Sequence, residues 1–174
     1  MSIFFTADTH FYHDNIRKYS NRPYESVVSM NLAMITNWNK KVSNKDDIYI
    51  LGDFAFCDGE TANKLLQELR GRKHFITGNH DRFLQDRRFD KNLFASMNNY
   101  KKLNINGQKI IMFHYPIVEW DCKFHGAIHL YGHIHNNPTD VDMSKIKNAF
   151  NVGVDVNNFE PVSLEEINKM FAQM

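Results

Sequence analysis

Cysteine is scarce in this chain. Cys57 and Cys122 are too few for a disulfide framework, and their spacing is not that of a CxxC redox or zinc pair. Charge of one sign is also missing: 21 Lys and Arg stand against 20 Asp and Glu, a formal net charge of +1. That balance supplies no field to draw long nucleic acid or an anionic membrane to the chain. No apolar run reaches the length of a membrane span, and no charged segment followed by a greasy one opens the sequence. The expectation is a cytoplasmic protein that does not enter membranes. With 4 Pro and 8 Gly there is no linker-like tract, and no repeat or low-complexity segment interrupts the 174 residues, so residues 1–174 read as a single domain. What the chain does hold is 43% hydrophobic residues, enough for a sizeable core, and 9 histidines, most of them beside Asp, Asn or Gly.

Short apolar runs predict buried strands at 3–7, 48–51, 74–77, 110–113 and 128–131. A further run, 150–156, is broken by Gly153 and reads as a strand with a bend or bulge. Between the strands the period lengthens. Val28, Leu32, Ile35 and Val42 predict one face of a helix starting near Tyr24, after Pro23. Ala62, Leu65, Leu66 and Leu69 predict another, stopped by Gly71 at C′. Ser163 and Glu166 match a capping box ahead of Ile167, Met170 and Phe171. The alternation implies a mixed α/β domain with helices covering sheet faces. The stretch from Tyr115 to Ala127 has no clear element, as functional or mobile loops often do not.

Each of the five strands runs into a polar group able to bind metal. They are Asp8-Thr9-His10, Gly52-Asp53, Gly78-Asn79-His80-Asp81, His114, and Gly132-His133-Ile134-His135. Ligands of open α/β sheets bind beyond the carboxyl ends of strands, so these groups are expected to converge on one crevice. Asp8, Asp53 and Asn79 offer oxygen; His10, His114, His133 and His135 offer imidazole nitrogen. Seven donors without a thiolate exceed one tetrahedral zinc site. Two six-coordinate ions sharing a carboxylate would use them all. The mixture suits Mn, Fe, Ni or Zn better than Ca or Mg. Gly52 and Gly132 let backbone crowd close to such ions.

This ordered set (Asp-x-His, Gly-Asp, Gly-Asn-His-Asp, a lone His after a strand, Gly-His-x-His) resembles the calcineurin-like metallophosphoesterase family. The likeness runs from Asp8 to His135 and, with the strand at 151–154, covers most of the chain. It implies a two-sheet β-sandwich flanked by helices, a four-layer α/β/β/α arrangement, and a two-metal phosphoester-hydrolysing site. The likeness implies Asp8, His10, Asp53 and His135 on one metal and Asp53, Asn79, His114 and His133 on the other, with Asp53 bridging. The ions would be divalent, Mn2+ first, with Fe, Ni or Zn as alternatives. His80 would be the proton donor, oriented by Asp81. Many members carry another polar residue soon after Gly-Asp, whereas here Phe54-Ala55-Phe56 follows.

Other residues divide between substrate contact and ordinary packing. His13 and Arg82 follow the first and third motifs closely and are candidates to touch substrate. Arg17 or Arg22 is read either as a bidentate phosphate clamp or as a solvated basic face. His74, His125 and His129 read as structural, and Tyr115, Trp120 and Phe124 as packing under a loop, with base stacking as the alternative. The expected partner is a small phosphoester, nucleotide-like and a diester. A phosphomonoesterase, a nuclease, or a non-catalytic scaffold of the same fold are the competing readings.

Overall fold

The computed structural model describes residues 1–173. Two mixed sheets lie face to face. The first holds β1 (Ile3–Thr6), β2 (Asp47–Leu51), β3 (Arg72–Ile76) and β4 (Ser96–Asn98), all parallel. A two-residue strand, β9 (Val162–Ser163), is antiparallel beside β1. The second sheet runs β5 (Tyr100–Ile105), β6 (Gln108–Phe113), β7 (Ile128–Tyr131) and β8 (Ala149–Asn151); only the β5–β6 hairpin is antiparallel. An Ala7–Gly153 bridge joins the two sheets just past β1 and β8.

Period-two alternation sorts the side chains between two cores. Phe5, Tyr49, Leu51 and Ile76 face Ile110, Met112, Ile128 and Leu130 between the sheets. Phe4, Ile48, Ile50 and Phe75 face outward to the helices. Every residue of β2 is buried, as befits a central strand of a parallel sheet covered on both sides.

The covering helices are α2 (Val27–Lys41) and α3 (Gly59–Glu68), preceded by the one-turn α1 (Ile16–Tyr19). Helix α2 begins at Val27 rather than near Tyr24, because Ser26 and Ser29 close a reciprocal cap there. Its buried face is Met30, Met34, Ile35 and Trp38, so Val28 and Leu32, expected inside, are 63% and 60% exposed. Two i, i+4 rows compete on this helix, and the row carrying Trp38, whose Nε1 donates to the Arg70 carbonyl at 2.9 Å, faces the sheet. Helix α3 buries Ala62, Leu65 and Leu66 as its spacing predicts. Gly71, expected at C′, turns the chain at φ +92° one residue beyond the observed C′, Arg70. The expected capping box opens α4 (Leu164–Gln173): the Ser163 amide donates to Glu166 at 2.7 Å and the Glu166 amide to Ser163 Oγ at 3.1 Å. Ile167 then joins the inter-sheet core. Among the described residues, no helix is long and apolar enough to cross a membrane.

The segment after β6, expected to be irregular, is packed rather than loose. Trp120 and Ala127 sit with Ile111 on the outer face of the second sheet. His129 pins this loop: its Nε2 accepts the Ile117 amide at 3.0 Å, and its Nδ1 lies 3.2 Å from the Ile111 carbonyl. That pattern requires a neutral ring, and burial pushes its pKa down to about 4. Between that value and the ordinary 6.5, the unfolded chain binds a proton that the folded chain refuses, so stability present above pH 6.5 is lost as pH falls. The expected loss through this residue on reaching pH 4 is on the order of 3 kcal/mol. Urea midpoints at pH 7, 5 and 4 check it: the decline should be shallower for His129→Gln than for the parent chain. Parallel declines would assign the acid sensitivity to other groups.

Candidate metal centre

The site lies beyond the carboxyl ends of β1, β2, β3, β6 and β7, where short loops lock to one another through the backbone. The Asp8 amide donates to the Gly52 carbonyl at 3.1 Å, His10 to Asp53 at 3.0 Å, and Gly132 to His114 at 2.9 Å. Turning sharply enough to aim side chains at a common point forces unusual backbone. Asp8, His10, Asp53, His133 and His135 all have positive φ, between 48° and 70°. Left-handed conformation is uncommon for residues other than glycine, and its concentration here marks a functional constraint. Glycines permit the close approach. A Cβ on Gly52 would sit 2.5 Å from Gly78 Cα, and one on Gly132 would sit 2.5 Å from Asp8 Oδ2.

Two trios result. The donor atoms of Asp8, His10 and His135 lie within 4.8 Å of one another, as do those of Asp53, His114 and His133. Asp53 Oδ2 stands between them, 3.6 Å from His10 Nε2 and 3.6 Å from His114 Nε2. Asn79 Oδ1 belongs with the second trio, 2.9 Å from His114 Nε2 and 3.1 Å from His133 Nδ1. The structure therefore brings all seven expected donors into one cluster.

The chemistry of these donors fits cations. His114 Nδ1 lies 2.7 Å from the Leu51 carbonyl, which fixes the proton there and leaves Nε2 a lone pair facing the oxygens of Asn79 and Asp53. His10 Nε2 is buried with no hydrogen-bond partner. An unpartnered buried nitrogen beside a carboxylate is costly unless a cation completes it. Burial lowers the pKa of His10, His114 and His133, keeping the rings neutral and Lewis-basic. Asp8 is pushed up by burial and then by the charge of Asp53, a penalty that a nearby cation offsets.

The structure corrects three expectations. Asp81 does not orient His80: its carboxylate accepts the amides of Phe54 at 2.8 Å, Gly78 at 2.7 Å and Asp53 at 3.1 Å. It is a knot tying the second and third loops together, and burial raises its pKa to about 6. Arg22 is no phosphate clamp. Its buried guanidinium is spent on Asp155 at 2.8 and 2.9 Å and on the carbonyls of Thr9 at 2.8 Å and Asp8 at 2.7 Å. Arg17 is occupied likewise, by Asp14 and by the carbonyls of Tyr24 and Glu25. His13 does reach the site, its Nδ1 3.3 Å from His10 Nδ1, and Arg82 stays exposed beside His80. Asp155 is the site residue that the sequence reading missed. It joins Arg22 to His135, whose Nδ1 is 2.7 Å from Asp155 Oδ2, and so leaves His135 Nε2 for a cation. Its only signal in the sequence was the carboxylate just after Gly153, inside a run that otherwise looked like strand.

Three amides, two buried and one half-buried, depend on Asp81, so Asp81→Ala should destabilise the fold by on the order of 3 kcal/mol. Urea denaturation of the metal-free variant against the parent measures this. An unchanged midpoint would show that the three amides find other acceptors.

Residues 1–154 match the model of the calcineurin-like phosphoesterase superfamily domain. An uncharacterized protein of Methanocaldococcus jannaschii is 37% identical over 172 residues, covering 97% of this chain and 90% of its own. The gene 66 protein of Mycobacterium phage D29 is 25% identical over 196 residues, covering 97% of this chain and 95% of its own. Among solved structures, a protein of unknown function from Aquifex aeolicus superposes with a TM-score of 0.77 at 26% identity, over 97% of this chain and 98% of that one. An archaeal phosphodiesterase shares the fold at a TM-score of 0.54 and 16% identity, over 94% of this chain and 99% of that one. The two sheets, the glycine-lined loops and the paired donor trios thus have a family: the chain belongs to the calcineurin-like phosphoesterases.

Proposed function

We propose that this chain is a two-metal phosphoesterase acting on small, nucleotide-like phosphodiesters. The observation that carries the reading is Asp53 Oδ2 placed 3.6 Å from the nearest ring nitrogen of each trio, as a carboxylate shared by two ions would be. Asp8, His10, Asp53 and His135 would hold one ion, and Asp53, Asn79, His114 and His133 the other. Manganese is the first choice, followed by Fe, Ni and Zn. Two such ions supply a water of lowered pKa and offset the charge that develops on the phosphoryl oxygens.

The chain's own contribution is orientation and a proton. Leu51 and Asp155 hold the rings of His114 and His135 in the tautomers that ligation needs. The His80 amide donates to Asp53 Oδ1 at 2.8 Å, so the peptide carrying this imidazole is tethered to the shared carboxylate. Its ring is partly exposed, 6.0 Å from that of His10, where a leaving oxygen would be within reach of its proton. Among the described residues no carboxylate hydrogen-bonds that ring, the Asp81 carboxylate being spent on three amides, so the tether through Asp53 is what places His80. The near-neutral charge favours a small substrate over long nucleic acid. Two free cysteines suit the reducing cytoplasm, where we place the protein.

Chelation should abolish hydrolysis of bis-p-nitrophenyl phosphate, and Mn2+ should restore it; full activity in metal-free protein would overturn the reading. Elemental analysis should show lowered occupancy at both positions for Asp53→Asn. A second measurement separates the roles of His80 and His114. His80→Ala should keep both ions and lose about 10²–10⁴-fold on esters of alkoxide leaving groups, but far less on nitrophenyl esters. His114→Ala should depress both ester types. Equal loss on both esters in the His80 variant would make that residue a phosphate-positioning group.

A further inference from the structure

Three residues past Asp53, the chain places Phe56 among histidines. The Phe56 ring stacks on His13 at 3.9 Å between centroids and 13° between planes. It lies 5.3 Å from the ring of His80 and 5.3 Å from that of His10. Tyr19, 68% exposed, meets His13 edge-on at 6.3 Å. The rings of His80, Phe56, His13 and Tyr19 therefore form one continuous aromatic shelf that starts at the proposed proton donor and runs outward. Phe56 and His13 are each only partly buried. The shelf is rigidly mounted: the Phe56 amide donates to the Phe11 carbonyl at 2.8 Å, the Phe11 amide to Phe54 at 2.9 Å, and the His13 amide to His10 at 3.1 Å.

We propose that Phe56, backed by His13, is the specificity determinant on the leaving-group side of the site, where it stacks the planar base of a departing nucleoside. The inference rests on the phosphodiesterase reading above and narrows it. A leaving oxygen protonated by His80 must lie beside that ring, so whatever is attached to the oxygen lies along the shelf. Two near-parallel rings present a flat π-face, which suits a heteroaromatic base better than a branched aliphatic group. Base–aromatic stacking contributes about 1–3 kcal/mol per base, which corresponds to about 5- to 150-fold in kcat/KM.

The test uses the Mn2+-loaded full chain and two matched diesters: a thymidine dinucleotide, and the same molecule with no base on the departing sugar. Both release a sugar alkoxide of similar basicity, so the ratio of their kcat/KM values reads stacking alone. The parent should prefer the base-bearing diester by about ten-fold or more. Phe56→Ala should collapse that ratio toward unity while metal content holds, and Phe56→Trp should keep it. A parent with no preference, or a Phe56→Ala variant that loses equally on both diesters, overturns the proposal. Cleavage of bis-p-nitrophenyl phosphate with neither dinucleotide cleaved overturns it too, and leaves the phosphoesterase reading standing. Failure on all three substrates removes both.

Discussion

The Asp53 carboxylate carries two obligations at once. One oxygen accepts the His80 amide at 2.8 Å and so fixes the third loop against the second. The other faces His10 and His114 at equal distance and accepts no hydrogen bond from either side. For both to hold, the loops of β2 and β3 must approach until their backbones touch. That is why glycine stands at 52 and 78, and why the Asp81 carboxylate collects three amides beneath them. The sandwich below can be seen as the means of bringing strand ends close enough for this contact.

Burial of so many acids needs compensation, and part of it is built in. Arg22 is the fixed positive charge of the site, reaching the Asp8 carbonyl on one side and the Asp155 carboxylate on the other. Such a pair rarely adds much stability over an apolar substitute, yet removing either member strands the other charge in the interior. Its use here is geometric. Asp155, held by Arg22, in turn holds His135, so the first trio is braced from behind by a chain of contacts that spans residues 22 to 155.

The strand ends were legible because chemistry and periodicity broke at the same places: an apolar run stops and a ligand follows. The seven donors could be named for that reason. What escaped were relationships in which one residue type has several uses. Asp81 and Arg22 are of catalytic type but serve the backbone and a carboxylate, and sequence spacing does not say which way a side chain turns. Strand β5 escaped because adjacent lysines, Lys101 half-buried and Lys102 exposed, hide the alternation of its exposed and half-buried positions. The mark it did leave was Asn106-Gly107, both at positive φ, which is the signature of a tight hairpin turn. Strands β4 and β9, three and two residues long, carry too little pattern to read.

The left-handed backbone at Asp8, His10, Asp53, His133 and His135 has an evolutionary side. Strain of this kind is tolerated only while something selects for it, and glycine at any of these positions would relax it. A ligand-to-glycine change at these positions would gain conformational ease as it loses chemistry, whereas a bulkier or β-branched replacement would add strain. The sandwich would survive either, since its two cores lie elsewhere.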